Sequence, residues 1–330
     1  QLSAALADPA RSLVPGADLP RWRKVVDLAQ SVLDEERALE GNRLRSSWDE
    51  TADAAYVARW SSAAGPVASG PWATVVMPVR NRPEAVVRAI RSVQAQTLDA
   101  WQLVVVDDGS TDGTPDVVAA LAADDARITL LRRGPEGVCA ARNAGIAAAT
   151  APYTAFLDSD NEWTPAFLRT AVAALHASGS AVGHAVVDEQ SDRGHRYRAF
   201  DGQEPHLRTG NFVDLNVLVV RTDALRAIGG FDPSLRRMVD YDLVWRLAKE
   251  HRLELLPFVG VRYAAQSRLS DRISATESFA WDDVVKSRHL AAPAPSDLDP
   301  GLLSVVVPHR GDRAAARATV GSVLAALDVV

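Results

Sequence analysis

The chain has 330 residues, of which 24% are charged and 47% hydrophobic, with a formal net charge of −6. That length can bury at least one full core, the acidic balance argues against a nucleic-acid partner, which demands a basic face, and no apolar run is long enough to span a bilayer. The one cysteine, Cys139, rules out an internal disulfide and suits a reducing compartment. With no signal-peptide pattern after Gln1, the expected location is cytoplasmic, with membrane contact at most peripheral at the inner face.

Residues 1–70 read as a helical N-terminal extension or linker, separate from the rest of the chain. Leu19-Pro20 opens one helical stripe (Trp22, Val25, Val26, Leu28, Ala29, Val32, Leu33), and residues 48–60 form a second. At Trp72 the character changes to alternating strands and helices, the rhythm of a parallel sheet with crossover helices. Residues 74–79 are a buried strand. Asn81 is the expected cap of the next helix, with Pro83 in its first turn and Val86, Ile90 and Val93 on one face. A second strand, 102–106, runs into Asp107-Asp108-Gly109-Ser110; a helix over 114–122 leads to a third strand at 128–131. Residues 137–149 are dominated by glycine and alanine, a helix able to lie very close to the sheet.

The fourth strand, 153–157, runs straight into Asp158-Ser159-Asp160. Side chains two apart on an extended segment share a face, so Asp158 and Asp160 can present oxygens to one hard cation such as Mg²⁺ or Mn²⁺. A strand ending in a polar turn is the competing reading. Both acidic pairs fall at the carboxyl ends of strands, where open α/β sheets bind ligands. Beyond them, Thr164 is the expected cap of a helix over 165–176. Residues 188–209 read as irregular loop and short strand, 211–221 as strand-like and 224–228 as a short helix stopped by Gly229-Gly230. A helix over 240–249 and a strand over 259–263 come next. The domain then extends to about residue 290, with a linker over 291–302. Residues 303–330 look like the first strand and helix of a truncated second copy, because SVVVPHRGDRAAARATVGSV from Ser304 parallels TVVMPVRNRPEAVVRAIRSV from Thr74 at a constant offset.

The segments VVMPVRNR, VVVDDGSTDGT, GVCAARNAG, FLDSDNEW and GGFDPSLRRMVDYDLVWRL, in this order, resemble the family-2 glycosyltransferases of the GT-A fold, over residues 72–270. The resemblance implies an α/β domain over 71–290 with a Rossmann-like mixed sheet flanked by helices. It implies a metal-dependent, inverting transfer of sugar from a nucleotide-diphosphate donor to a hydroxyl acceptor, in polysaccharide or other cell-envelope glycan synthesis. By the family's pattern, Pro78, Val79, Arg80 and Asn81, with Asp108, take the base and ribose, Arg142 and Asn143 face the diphosphate, and Asp158-Ser159-Asp160 takes the donor. Asp160 and Asp158 hold Mn²⁺ or Mg²⁺. Asp240, before the helix that comes after GGFD, is the general base, with Asp242 the runner-up, and acceptors enter over residues 187–216.

Three departures qualify that pattern. Arg80 stands where many members carry an aromatic residue, Val239 where Asp240 usually has an acidic neighbour, and residues 262–272 contain Gln266 but no metal-ligating His. His184, His195 and His206 read as surface residues. Asp107 reads as a turn acid facing Ser110 or Thr111. The alternative class is a non-catalytic sugar-nucleotide-binding or scaffold domain of a multidomain protein. A nucleotidyltransferase would need a Gly-rich basic phosphate loop after the first strand, which VRNRPEA is not.

Overall fold

Strand β2 (Ala73–Val79) is buried along its whole length, as expected of a strand covered by helices on both faces. Around it a computed structural model, which describes residues 44–66, 69–191, 194–264 and 280–290, shows β3 (Trp101–Asp108), β4 (Ile128–Arg133) and β5 (Tyr153–Phe156) parallel to β2, in the order β4-β3-β2-β5. The expected helix from Leu19-Pro20, the linker 291–302 and the repeat at 303–330 lie outside the described residues.

The crossover helices form where periodicity places them. In α2 (Pro83–Gln94) Pro83 occupies the first turn and Val86, Ala89, Ile90 and Val93 are buried, continuous with the core that includes Val75, Met77, Leu103 and Val105. Its N-cap is Arg82, without a capping side chain, so Asn81 is not the cap that the sequence leads one to expect. Helix α3 (Thr114–Asp124) comes after β3, and α4 (Val138–Ala148) after β4. Helix α4 lies so close to the sheet that a Cβ added at Gly145 would stand 2.4 Å from Cγ1 of Val76. Because Val is stiff at χ1 and Val76 is fully buried, Gly145→Ala is expected to lose about 1–2 kcal/mol by overpacking, net of the helix propensity gained. An unchanged urea midpoint would contradict this.

Past β5 the sheet becomes mixed. Helix α5 (Phe167–Ser178) starts later than expected, and Thr164 is no cap: its hydroxyl donates to the Val259 carbonyl oxygen at 2.9 Å. Strand β8 (Leu218–Arg221), entered through a 3₁₀ turn at Leu215–Val217, pairs antiparallel with β5, so only the end of the expected 211–221 strand is extended. The segment 188–209, expected to be irregular loop and short strand, takes the end of β6 (Val182–Ser191), a strand that begins before it, and the short β7 (Gly194–Arg198), which pairs antiparallel with β6. One edge of β6 carries β8 and then β7, while the other runs parallel to β9 (Leu253–Ala264). This places His184 in the interior, where burial pushes its imidazole down to about 4 and keeps it neutral, contrary to its reading as a surface residue.

Residues 44–60 are not set apart from this sheet, as a separate extension would be. Leu44–Arg45, β1, pairs with β7, and α1 (Glu50–Trp60), capped by Asp49, packs on β9. Asp53 accepts from the Val259 amide at 2.7 Å and from Trp48 Nε1 at 2.7 Å, and Tyr56 stacks on Phe258 with ring centroids 6.0 Å apart.

The far end of the fold carries α6 (Glu204–Leu207), α7 (Thr222–Ala227), α8 (Val239–Glu250) and α9 (Ala280–His289). Helix α8 is gripped from behind. Trp245, fully buried, stacks on His289 at 5.0 Å, and Asp242 accepts from His289 Nε2 and Arg246 Nε, each at 2.9 Å. Burial alone would favour protonated Asp242, but the His289 hydrogen bond and the Arg246 charge together hold its carboxyl below the ordinary range. Both bonds aim Asp242 into the α8–α9 packing, and the first turn of α8 is left to present Asp240.

Candidate active site

A cleft of about 840 Å³ opens at the carboxyl ends of β2, β3 and β5. Its walls bring together Pro78, Val79, Arg80 and Asn81 after β2, Asp108 at the end of β3, Arg142 on α4, Asp158, Ser159 and Asp160 after β5, and Asp240 on α8. Asp108, Asp160 and Asp240, far apart in the chain, therefore share one cavity.

The two loops after β2 and β3 are tied to each other. Asn81 takes a left-handed backbone (φ 51°), donates its amide to Ser110 Oγ at 2.9 Å and accepts from the Thr111 amide at 2.9 Å. Asp107 faces the Ser110 amide at 3.3 Å, the turn acid of the sequence reading. Asp108 accepts from the backbone N–H groups of Glu136 and Gly137 at 2.8 and 3.0 Å. Gly109 (φ +73°) is needed where these loops touch, since a Cβ there would sit 2.9 Å from the Pro135 nitrogen. The Glu136 and Gly137 amides, just before α4, are thus occupied by Asp108.

On α4 only one of the two expected residues reaches the cleft. Arg142 does, and its Nη2 meets Asp158 Oδ1 at 2.6 Å. Asn143 does not: its side chain donates to the Phe231 carbonyl oxygen and accepts from the Phe231 amide, both at 2.8 Å. Successive residues on a helix point about 100° apart, and Asn143 latches the turn that leads to α8.

Cleft residues to which the sequence reading gave no individual role include Arg82, Asp214, Asn216, Arg237, Met238 and Tyr263. Asn216 accepts from the Asp158 amide at 2.7 Å and donates to Asp214 Oδ1 at 3.1 Å and to the Tyr263 hydroxyl at 2.8 Å, which itself donates to Asp214 Oδ1 at 2.6 Å. Burial, reinforced by the Asp214 charge, pushes the Tyr263 phenol well above its usual range, so it remains a donor. The signal for this group in the sequence is the polar pair Asp214 and Asn216 inside an apolar run, FVDLNVLVV. Met238, the N-cap of α8, is left-handed (φ 58°); with Asn81 it makes up the non-glycine positive-φ residues among those described, and both line the cleft, where such strain concentrates in functional sites.

Asp240 accepts from Asn211 Nδ2 at 2.9 Å. Burial pushes its carboxyl up and the Asp214 charge adds to this, against the opposing Arg142 charge. The result is a more basic carboxylate than one in water.

Among the described residues no three His, Cys, Asp or Glu side chains gather as a metal cage. Instead Asp158 is paired with Arg142, and Asp160 Oδ2 lies 2.9 Å from Arg82 Nη1. Two carboxylates suit a hard dication that completes its shell with water and phosphate oxygens. The buried Arg142 Nε–H has no acceptor among the described residues, as a site for an anionic ligand would leave it. The donor set fits a cation bound together with a diphosphate.

Residues 74–228 match the family model described as glycosyl transferase family 2. This segment belongs to that family. Among curated proteins, the chain is 38% identical over 154 residues to the succinoglycan biosynthesis protein ExoO of Rhizobium meliloti (45% of this chain, 43% of that protein). It is 29% identical over 218 residues to the pre-mycofactocin glycosyltransferase of Mycobacterium tuberculosis (61% and 44%), so it spans less than half the length of either relative. Among solved structures, S. aureus TarS in complex with UDP-GlcNAc shares 18% identity with a TM-score of 0.55 (62% of this chain, 61% of that one). The Pyrobaculum calidifontis mannosyltransferase PcManGT, in complex with GDP-Man and Mn²⁺, shares 20% at a TM-score of 0.53 (74% of each). At such identity these neighbours speak for the fold alone, and the fold of the family 2 domain is GT-A. Among the described residues no helix is long and apolar enough to cross a membrane.

Proposed function

We propose that this chain is a metal-dependent inverting glycosyltransferase that moves a sugar from a nucleoside-diphosphate sugar to the hydroxyl of a glycan acceptor, in the assembly of a polysaccharide or other envelope glycan. The observation that carries this reading is the shared cleft: Arg82, Arg142, Asp158 and Asp160 on one side and Asp240 at the head of α8 on another. Succinoglycan synthesis in a relative supports the process. UDP-GlcNAc and GDP-Man in two fold neighbours support a nucleoside-diphosphate sugar, without choosing the base.

In this reading Pro78, Val79, Arg80 and Asn81, with Asp108, hold the nucleoside. The guanidinium of Arg80 stacks on a flat base in place of an aromatic ring. Asp158 and Ser159 hold the ribose or sugar, with Asp158 oriented by Asn216 and Arg142, and Asp160 with Asp158 supplies oxygens to Mn²⁺ or Mg²⁺. The bound cation's chemistry is Lewis-acid neutralisation of charge growing on the departing diphosphate. Asp240 takes the proton of the acceptor hydroxyl as that oxygen attacks the anomeric carbon opposite the leaving group, and its raised basicity assists the transfer.

Incubation of the chain with a panel of nucleotide sugars, Mn²⁺ or Mg²⁺ and a broad set of glycan acceptors is expected to release nucleotide, and chelation to stop it. Nucleotide binding without turnover on any donor and acceptor would replace this reading with a non-catalytic sugar-nucleotide-binding domain.

A further inference from the structure

Asp214 is a half-buried carboxylate that lines the cleft and has no part in holding the donor. Three donors converge on its Oδ1: the Asn216 backbone N–H at 2.9 Å, Asn216 Nδ2 at 3.1 Å and the Tyr263 hydroxyl at 2.6 Å. Its Oδ2 has no hydrogen-bond partner among the described residues. Asp214 is also the N-cap of the 3₁₀ turn Leu215–Val217, but a cap uses one oxygen and is served equally well by Asn or Ser. The bonds from the two side chains fix the direction in which Oδ2 is presented.

The same short segment reaches the base. Asn211, three residues earlier, donates to Asp240 Oδ2 at 2.9 Å and accepts from the Val213 amide at 3.1 Å. The Asp214 charge acts on the Asp240 carboxyl more strongly than the opposing Arg142 charge does, so the two carboxylates face the same part of the cleft. Two like charges at one site cost free energy. Arg198, which is paired with Glu189 at 2.5 Å, lies on the other flank of Asp214 and offsets part of that cost.

We propose that Asp214 is an acceptor-binding residue: its Oδ2 takes a hydrogen bond from a second hydroxyl of the acceptor sugar, a neighbour of the one whose proton passes to Asp240. The inference rests on the function proposed above and adds the acceptor class, a sugar with a free hydroxyl beside the attacked one. A hydroxyl donates one hydrogen bond, and a bond to a carboxylate oxygen is charge-assisted and about twice as strong as a neutral one. Two points of attachment fix the attacking oxygen where one would leave the ring free to turn, and such orientation lowers the barrier to displacement. A cation bridging Asp214 and Asp240 is the competing occupant. One oxygen of each carboxylate is already held by protein donors, and no three His, Cys, Asp or Glu side chains gather as a metal cage among the described residues.

The probes are the glycan of the acceptor panel that gives the fastest nucleotide release and its monodeoxy forms at the accepting sugar, used at saturating donor and Mn²⁺. In wild type, one form that keeps the attacked hydroxyl is expected to show kcat/KM about tenfold below the parent glycan, the worth of one hydrogen bond to a charged group. Asp214→Ser still caps the turn but is too short to reach the sugar. It is expected to lower kcat/KM for the parent glycan about tenfold and to use that deoxy form as well as the parent, the loss of coupling that marks a direct contact. Asp214→Asn keeps the cap and the Oδ1 acceptor for Asn216 and Tyr263, so the deoxy penalty should shrink while calorimetry shows the affinity for nucleotide and Mn²⁺ unchanged. A deoxy penalty of wild-type size in both variants overturns the inference and leaves the proposed function standing. Weaker Mn²⁺ binding by Asp214→Asn also overturns it, by placing a cation on Asp214. Transfer by wild type to no glycan of the panel overturns both.

Discussion

Asp240→Asn is expected to lower sugar transfer by a factor of about 10²–10⁴, the usual span of a general base, while leaving the affinity for nucleotide and Mn²⁺ unchanged. Asn keeps the shape and can still accept from Asn211, so the loss isolates the proton transfer. The same substitution is expected to stabilise the fold. The folded state raises the Asp240 carboxyl, chiefly by burial and further by the Asp214 charge, so the ionised carboxylate is less favourable in the native protein than in the unfolded chain. A raised carboxyl makes stability fall as pH rises from the unfolded value through the folded one. The penalty is therefore full above the folded-state pKa and absent below the unfolded one. The variant's higher melting temperature should be present at neutral pH and vanish on acidification across that window. Wild-type transfer should in turn lose activity on the acid side with an inflection above the ordinary carboxylate range. Undiminished transfer by Asp240→Asn would remove Asp240 as the base, and Asp242 could not replace it, since His289 and Arg246 hold it away from the cleft.

Asp160→Asn should be comparably severe at a different step. Lewis-acid stabilisation of a leaving diphosphate is worth several kcal/mol, so losing a direct cation contact is expected to reduce transfer about 10³-fold. The discriminating measurement is thermal shift. Wild type should melt higher with nucleotide than without, and higher again when Mn²⁺ is added, because a ligand bound only by the native state raises its apparent stability. In Asp160→Asn the increment due to Mn²⁺ should disappear while that due to nucleotide alone remains. A Mn²⁺ increment of wild-type size would show that the cation does not rest on Asp160.

How much of this is legible in the residues depends on the range of the interactions involved. The strands at 73–79, 101–108, 128–133 and 153–156 are short apolar runs whose burial is written into their composition, and α2 and α4 announce themselves by a buried stripe and by small residues. The acids at the ends of β3 and β5 are conspicuous because an apolar run ends in charge. In contrast β6 does not show in the sequence: its polar end, Asp188–Ser191, is explained only by pairing with β7 and β9, partners far along the chain or across a turn. Asn143 looks like a cleft residue beside Arg142 until the helix is placed, because adjacency in sequence says nothing of which helix face meets the sheet.

By itself the sequence determined the parallel half-sheet and the acids that close its strands, Asp108, Asp158 and Asp160, because hydrophobic periodicity and strand-end charge are local properties of a chain, while Asp240 stood out only through the resemblance to the family-2 glycosyltransferases. The tertiary structure alone decided that Arg82 and Arg142 answer the two acids of the turn, that Asn216, Asp214 and Tyr263 brace the cleft, and that Asp242 faces away from it. Those are contacts between elements tens of residues apart, and their geometry exists only once the sheet has assembled and the helices have packed against it.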